Sequence, residues 1–402
     1  MTELESRIRI VEFLKKTGLV ILAIVTGLLV GEIGSHFLIS VPNTSGWRSD
    51  VSLSHRQARR ELNQLGFRGQ RIDYPDSATV VVLVGDSQVE AKATAFSAIP
   101  ERRLEHHLRS LELPRPLHVF SLGAAGYGQD QQLLVLREYL AEYRADVVVL
   151  WRTPTNDIWN NVFPTHWPAN GMPKPTYWLE DGELRGPNED MGERLDVSSV
   201  RLLFFWRSLT ARISGTTIWA HLGRDQEWEG QLPPAYQPLT EFAAPASDLW
   251  QRMWDAGAFK DENLATEKSQ YAIFLTPRSR RMQYGLDLTR ELSSEIQNLT
   301  VSHGGRFVVF DVAPPSEDEP GETVYLLNGR YYKTSLQQFS DNMDYVNRGL
   351  ESLQIPLTVK DWNVNPGDGH LSDKAVDEAM EMLAEALVPH IASFTVGAER
   401  PR

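Results

Sequence analysis

The chain has 402 residues, 42% of them hydrophobic and 23% charged, which is enough apolar character to bury a core and excludes a disordered or collagen-like chain. Its 53 acidic and 40 basic residues leave a net charge of −13, so nucleic acid is not an expected partner. The absence of cysteine excludes disulfides, thiolate-bound metals and a cysteine nucleophile.

Residues 1–16 form a short N-terminal segment carrying Arg7, Arg9, Lys15 and Lys16. Residues 17–41 follow as TGLVILAIVTGLLVGEIGSHFLISV, with no charge from Thr17 to Gly31. As a helix this run would cover about 37 Å, against about 30 Å of bilayer hydrocarbon. It is therefore expected to be an uncleaved transmembrane anchor. The basic residues before it place the N-terminus in the cytoplasm and the remaining chain outside. Arg56, Arg59 and Arg60 on the far side oppose that orientation. A cleavable signal peptide is the rival reading, but the apolar run is long for one and no A-x-A site follows it. Glu32 and His36 interrupt the second half, and Glu32 is expected near the outer interface.

Residues 42–77 read as a stalk with a short helix near Ser54–Leu65. TVVVLVGDS (79–87) then predicts a buried parallel strand ending at Gly85 and Asp86. A helix is expected from Ile99 to Leu111, a second strand in LHVFSLG (117–123) and an amphipathic helix from Gln129 to Tyr143. DVVVLWR (146–152) is a third strand. A long helix from about Arg280 to Ser302 precedes a fourth, RFVVFDV (306–312), and a last helix runs from Ser372 to about Ile391. This alternation predicts an α/β fold in which residues 78–157 and 280–395 form one parallel-sheet domain with helices on both faces.

Residues 158–279 break the rhythm and read as an insertion or lid. Nine of the eleven tryptophans fall between Trp151 and Trp254, so this stretch either packs a small lid or stacks against ligand. TYWLEDGELRG predicts a hairpin turning at Asp181-Gly182. Val200–Leu222 predicts an amphipathic helix with Leu202, Leu203, Phe205, Trp206, Leu209 and Ile213 near one face. The acidic stretch Pro314–Glu319 reads as a solvated loop.

Polar residues gather where the strands end. The first strand runs into Gly85-Asp86-Ser87, the second into Gly123–Gly128 and the third into Thr155-Asn156-Asp157. Asp368-Gly369-His370 comes just before the last helix. Parallel strand ends lie side by side, so these groups can meet at one sheet edge. The set fits acyl transfer. A Ser87 hydroxyl needs a base, His370 titrates in the right range, and Asp368 is the nearest carboxylate to fix its tautomer. The Ser87 and Gly126 backbone N–H groups and the Asn156 amide are candidate oxyanion donors. Asp86 is expected to brace its own turn, and Asp157 to cap or brace the third loop. Gly123 and Gly128 read as turn residues. The order Ser, Asp, His matches the α/β-hydrolases, but Val89 occupies the second Gly of G-x-S-x-G, so a nucleophile elbow of that kind is not supported. H-E-x-x-H is absent, no metal or other cofactor is expected, and neither a G-x-G-x-x-G with an acidic partner nor a Walker motif is present.

GDS after the first strand, a Gly-rich turn after the second, N-D after the third and a late D-x-H together resemble the SGNH (GDSL-type) hydrolase family. The stretch SLGAAGYGQDQQLLVLREYLAEYRADVVVLWRTPTNDIWNN is similar to its membrane-anchored bacterial members. The likeness covers about 165 residues, in 79–157 and 306–391. It implies a flavodoxin-like three-layer α/β/α sandwich with a five-stranded parallel sheet. By residue it implies Ser87 as nucleophile, Asp368 and His370 as the other triad members, and Gly126 and Asn156 as oxyanion donors. Three departures stand out. Pro154 replaces the Gly of the usual G-x-N-D, which puts the loop's shape in question. Gln88 replaces the usual leucine. One residue separates Asp368 from His370 where two are common, and Asp361 or Asp373 could substitute.

The resemblance implies a membrane-anchored, periplasmic serine esterase acting on an acylated small molecule or carbohydrate. One alternative is an O-acyltransferase of an envelope or exported polysaccharide, which would need a polytopic membrane partner to deliver the acyl donor. Another is a non-catalytic glycan-binding module of the same fold.

Overall fold

The computed structural model describes residues 3–38, 60–111, 113–162, 165–166, 172–188, 273–276, 278, 280–313, 324–327, 330–365 and 369–392, together with Leu202, Phe205, Trp206, Leu209, Thr210, Ile213 and Ser214. Residues 42–59 of the expected stalk, most of the Trp-rich insertion, the acidic loop and Asp368 lie outside these residues. Residues 60–77 are described and pack on the sheet unit rather than standing free, with Asn63 Nδ2 donating to the Ser121 carbonyl at 3.0 Å and Arg68 Nη2 to the Thr94 carbonyl at 2.8 Å. The chain divides into two compact units, Met1–Asp50 with Gly192–Asp225, and Val51–Met191 with Gln226–Arg402.

The first unit contains helix α1, Glu3–Leu38. Within it, Glu12–Ser35 is long and apolar enough to cross a membrane. That window starts five residues before the uncharged run and takes in Lys15 and Lys16, whose long aliphatic stems tolerate a helix end near a headgroup layer. The large apolar side chains from Phe13 to Ile33 are exposed along the helix. A helix apolar on all sides and exposed from Glu12 to Val30 is suited to lipid rather than to water.

The second unit is built on five parallel strands: β1 (Thr79–Gly85), β2 (Leu117–Gly123), β3 (Val147–Arg152), β4 (Arg306–Ala313) and β5 (Ser352–Pro356), in the order β5-β4-β3-β1-β2. The β-branched run of β1 is buried on both faces, as a central parallel strand requires. On one face Val81, Leu83, Val149, Trp151 and Phe310 share a core with helices α3 (Pro100–Ser110) and α8 (Asp373–Ala392). On the other face lie α4 (Gln129–Glu142) and α6 (Arg280–Ser302). The result is the expected three-layer sandwich, and the strand order reverses between β1 and β3. A topological switch point there opens a crevice at the carboxyl ends of the strands.

Register makes the strand ends level. Gly85 pairs with Gly123, and Val84 with Leu150. The residues after β1, β2 and β3 therefore emerge at one edge. The neighbouring β3–β4 pair is locked by Arg152, whose Nε donates to Asp311 Oδ1 at 3.0 Å while its Nη2 reaches Asp311 Oδ2 and Asn347. Both charges are buried, so each depends on the other.

The predicted hairpin is present as Thr176–Glu180 and Glu183–Asn188. Asp181 and Gly182 have φ of 54° and 82°, the left-handed pair that a tight hairpin turn requires. Strand β5, helix α7 (Leu336–Val346) and a small sheet of Leu275–Thr276, Val324–Leu327 and Arg330–Thr334 were not expected from the pattern of residues. β5 is an edge strand with only Ile355 buried, and Pro356 ends it, so it lacks the apolar signature of its neighbours. A signal for α7 did exist: Ser335 accepts a hydrogen bond from Gln338 N–H, the S-x-x-Q pattern of a capped helix start.

Candidate active site

Asp86 is the N-cap of the four-residue helix α2, Ser87–Glu90, and its side chain accepts from Gln88 N–H at 2.9 Å. Asp86 thus braces its turn as expected, and Ser87 stands at the first helical position, half-buried. Gly85 is required here by packing. A Cβ on it would meet Val89 Cγ2 at 2.5 Å and the Trp151 carbonyl at 2.8 Å. Gly123 and Gly128 were expected as turn residues, but neither has a positive φ. A Cβ on Gly123 would strike Val89, and one on Gly128 would strike Asn161, so both are close-packing positions.

After β2 the chain makes a tight turn closed by Tyr127 N–H on the Ala124 carbonyl at 3.2 Å, with Gly126 at φ 73°. That φ at the third turn position favours glycine. The turn is tied to α2 by Ala125 N–H on the buried Glu90 carboxylate at 2.8 Å.

After β3, Pro154 begins helix α5, Pro154–Val162. The concern raised by Pro154 is answered by its position. The first helical residue needs no donor N–H, and the fixed φ of proline suits it. Thr153 precedes it, and its carbonyl accepts from Asn156 and Asp157 N–H at 3.0 and 2.9 Å. Asp157 reaches back with Oδ2 to Thr153 N–H at 2.8 Å and also takes Gln129 Nε2 at 2.8 Å, the bracing role expected of it.

The loops after β1 and β3 meet at Asp86. Its Oδ1 accepts from Thr153 Oγ1 and its Oδ2 from Asn156 Nδ2, each at 3.1 Å. Asn156 is thereby held beside the Ser87 turn by one of its two amide hydrogens. Burial raises the Asp86 carboxyl, against the pull of these donors and of His370. Burial also pushes Asp157 well above its ordinary value, and the Asp86 charge adds to that effect.

His370 arrives on a paired loop. Val364 N–H donates to the His370 carbonyl at 2.9 Å, and Ser372 N–H to the Trp362 carbonyl at 2.7 Å. Gln88, adjacent to Ser87, spans this loop from the other side. Its Nε2 donates to the Gly369 carbonyl at 2.8 Å, and its Oε1 accepts from Leu371 N–H at 3.2 Å. One side chain therefore grips the backbone on both sides of His370. The sequence marks Gln88 only as a departure from the usual leucine, because residues 88 and 369–371 become neighbours only in the fold. Ser87, Gly126, Asn156 and His370 are thus carried by loops bonded to one another or to α2. Asp368 lies outside the described residues. The substitutes Asp361 and Asp373 are both exposed, and Asp373 opens α8.

Behind this edge, α4 begins with four buried polar residues, Gln129 to Gln132. Gln129 Oε1 accepts from Asn161 Nδ2 at 2.6 Å, and Asn161 reaches Thr289 Oγ1 at 2.8 Å. Asp130 forms a fully buried ion pair with Lys174, which also donates to the Asn160 carbonyl. This layer joins α4, α5 and α6 beneath the Asn156 loop. Among the described residues, no group of three or more His, Asp or Glu side chains could hold a metal ion.

No family model matches the chain, and no curated protein matches it. Among solved structures, a provisionally assigned arylesterase from Agrobacterium tumefaciens str. C58 is similar over 77% of this chain and 98% of its own, at 11% identity and a TM-score of 0.34. The architecture described above rests on the strand order and register of this chain alone.

Proposed function

We propose that the chain is an SGNH-type serine esterase tethered to a membrane by α1. One observation carries the reading: Gln88, next to Ser87, holds the backbone on both sides of His370. The loops of a candidate nucleophile and a candidate base are thus joined by a bond that spans 281 residues of sequence, from Gln88 to Gly369.

In the proposed reaction, Ser87 Oγ attacks the carbonyl carbon of an ester while His370 takes the hydroxyl proton. The oxyanion receives N–H groups from Ser87 and Gly126 and the second amide hydrogen of Asn156. Collapse breaks the ester C–O bond, and the imidazolium returns its proton to the leaving alcohol. Water then hydrolyses the acyl-serine by the reverse proton route. Asp368 orients the imidazole and stabilises its charged form. The alcohol is proposed to be a carbohydrate or small molecule carrying an acetyl or short acyl group. Arg7, Arg9, Lys15 and Lys16 before the span favour a cytoplasmic N-terminus and an active site on the outer, periplasmic side.

The test uses the detergent-solubilised full chain. Turnover of p-nitrophenyl acetate and labelling by a fluorophosphonate probe are measured for wild type and Ser87→Ala. Both activities are expected in the wild type and neither in the variant. A folded wild type that is neither labelled nor active would sink the esterase reading.

A further inference from the structure

The segment 201–214 reads RLLFFWRSLTARIS, with three arginines and no acidic residue in a chain of net charge −13. Leu202, Phe205, Trp206, Leu209 and Ile213 are helical, and their spacing of three and four puts them along one stripe. Phe205, Trp206 and Ile213 are 43%, 56% and 77% exposed, which is costly for such side chains in water.

This segment belongs to the same compact unit as α1. Leu202 N–H donates to Glu32 Oε2 at 2.9 Å. A Cβ on Gly31 would lie 3.8 Å from the Leu202 side chain, so Leu202 packs where Gly31 leaves room. The contact falls at Gly31 and Glu32, four and three residues before the end of the apolar window Glu12–Ser35. At 1.5 Å per residue that window is about 36 Å long, more than the roughly 30 Å hydrocarbon layer. Glu32 therefore sits near the boundary between acyl chains and headgroups. A carboxylate there has a physical reason to exist, because it accepts from the Leu202 N–H.

We infer that the Leu202–Ile213 segment is an interfacial membrane helix. Phe205, Trp206 and Ile213 enter the bilayer at the headgroup boundary of the leaflet where α1 ends. Arg201, Arg207 and Arg212 supply charge that complements anionic headgroups. Tryptophan is favoured at that depth because its ring is amphipathic. The inference rests on α1 spanning the membrane.

The chain has no cysteine, so single-cysteine variants can be labelled at one site. The full-length chain in nanodiscs of phosphatidylethanolamine and phosphatidylglycerol is labelled with an environment-sensitive nitrobenzoxadiazole dye at Ile213→Cys. Trp206→Cys serves as a second position, Val25→Cys as a span control and Ala141→Cys as a surface control. The Ile213 and Trp206 labels are expected to emit blue-shifted light and to be quenched best by lipids spin-labelled near the headgroup. Val25 should be quenched best by lipids labelled near the chain end, and Ala141 by neither. Quenching at Val25 with water-like emission at 213 and 206 would overturn the interfacial helix alone. Blue-shifted but unquenched labels there would mean cover by protein and would also overturn it. An unquenched Val25 would overturn the spanning reading and the interfacial helix together.

Discussion

Gln88 shows how one side chain can replace a strand partner. Its amide offers a donor and an acceptor, and the backbone beside His370 presents a carbonyl and an N–H at matching positions. Each such bond contributes about 0.5–1.5 kcal/mol net. A leucine at this position would leave the His370 loop without either bond. For Gln88→Leu we expect kcat/KM for p-nitrophenyl acetate to fall about tenfold, equivalent to about 1.4 kcal/mol of barrier. The loss should lie in kcat rather than KM. Hydrogen exchange at Leu371 N–H should quicken in the same variant. Unchanged exchange with lost activity would assign Gln88 a different role, and faster exchange in an enzyme that is inactive from the start would separate the clamp from the esterase reading.

At the scale of elements, the start of α5 is where the site and the core meet. Pro154 opens the helix, the Thr153 carbonyl accepts from Asn156 and Asp157 N–H, and Asp157 closes back on Thr153 N–H while leaning on Gln129 from α4. Asp157 is buried beside Asp86, and both effects hold its carboxyl above the ordinary aspartate value of 3.8. The folded state therefore binds this proton more tightly than the unfolded chain. The stability Asp157 contributes is fully present below pH 3.8 and is lost as pH rises through its raised native value. Asparagine mimics the protonated form, and its Oδ1 can accept both existing hydrogen bonds. The Tm of Asp157→Asn minus that of wild type should become more positive as pH rises above 3.8, read by circular dichroism melts. A difference that stays constant with pH would mean that Asp157 titrates alike in folded and unfolded chains.

For the whole molecule, the two compact units have different solvents written into their surfaces. The sheet unit buries most of its described apolar residues, whereas α1 exposes them from Phe13 to Ile33. Transfer of each such side chain out of water favours the bilayer by about 1.5–3 kcal/mol. The expressed chain should therefore sediment with membranes, stay there in high salt and alkaline carbonate, and be released by detergent. Release by carbonate would mean that α1 is not embedded in lipid.

Much of this protein was legible from residue order because parallel strands and membrane helices are local, strongly apolar signals. TVVVLVG needs both faces covered, and the run from Thr17 to Gly31 suits a bilayer whatever the rest of the chain does. The placement of Ser87, Gly126 and Asn156 at strand ends was also legible, since each follows such a strand. Strand β5 was not, because an edge strand with one buried side chain carries little apolar pattern. Pro154 looked disruptive until α5 was seen to begin on it. The hold of Asp86 on Asn156 and of Gln88 on the His370 loop joins residues 70 and 281 positions apart or more. Such bonds have no sequence spacing that could announce them. They exist because the order β2-β1-β3 brings three loops to one edge and α8 returns the C-terminal loop to the same place.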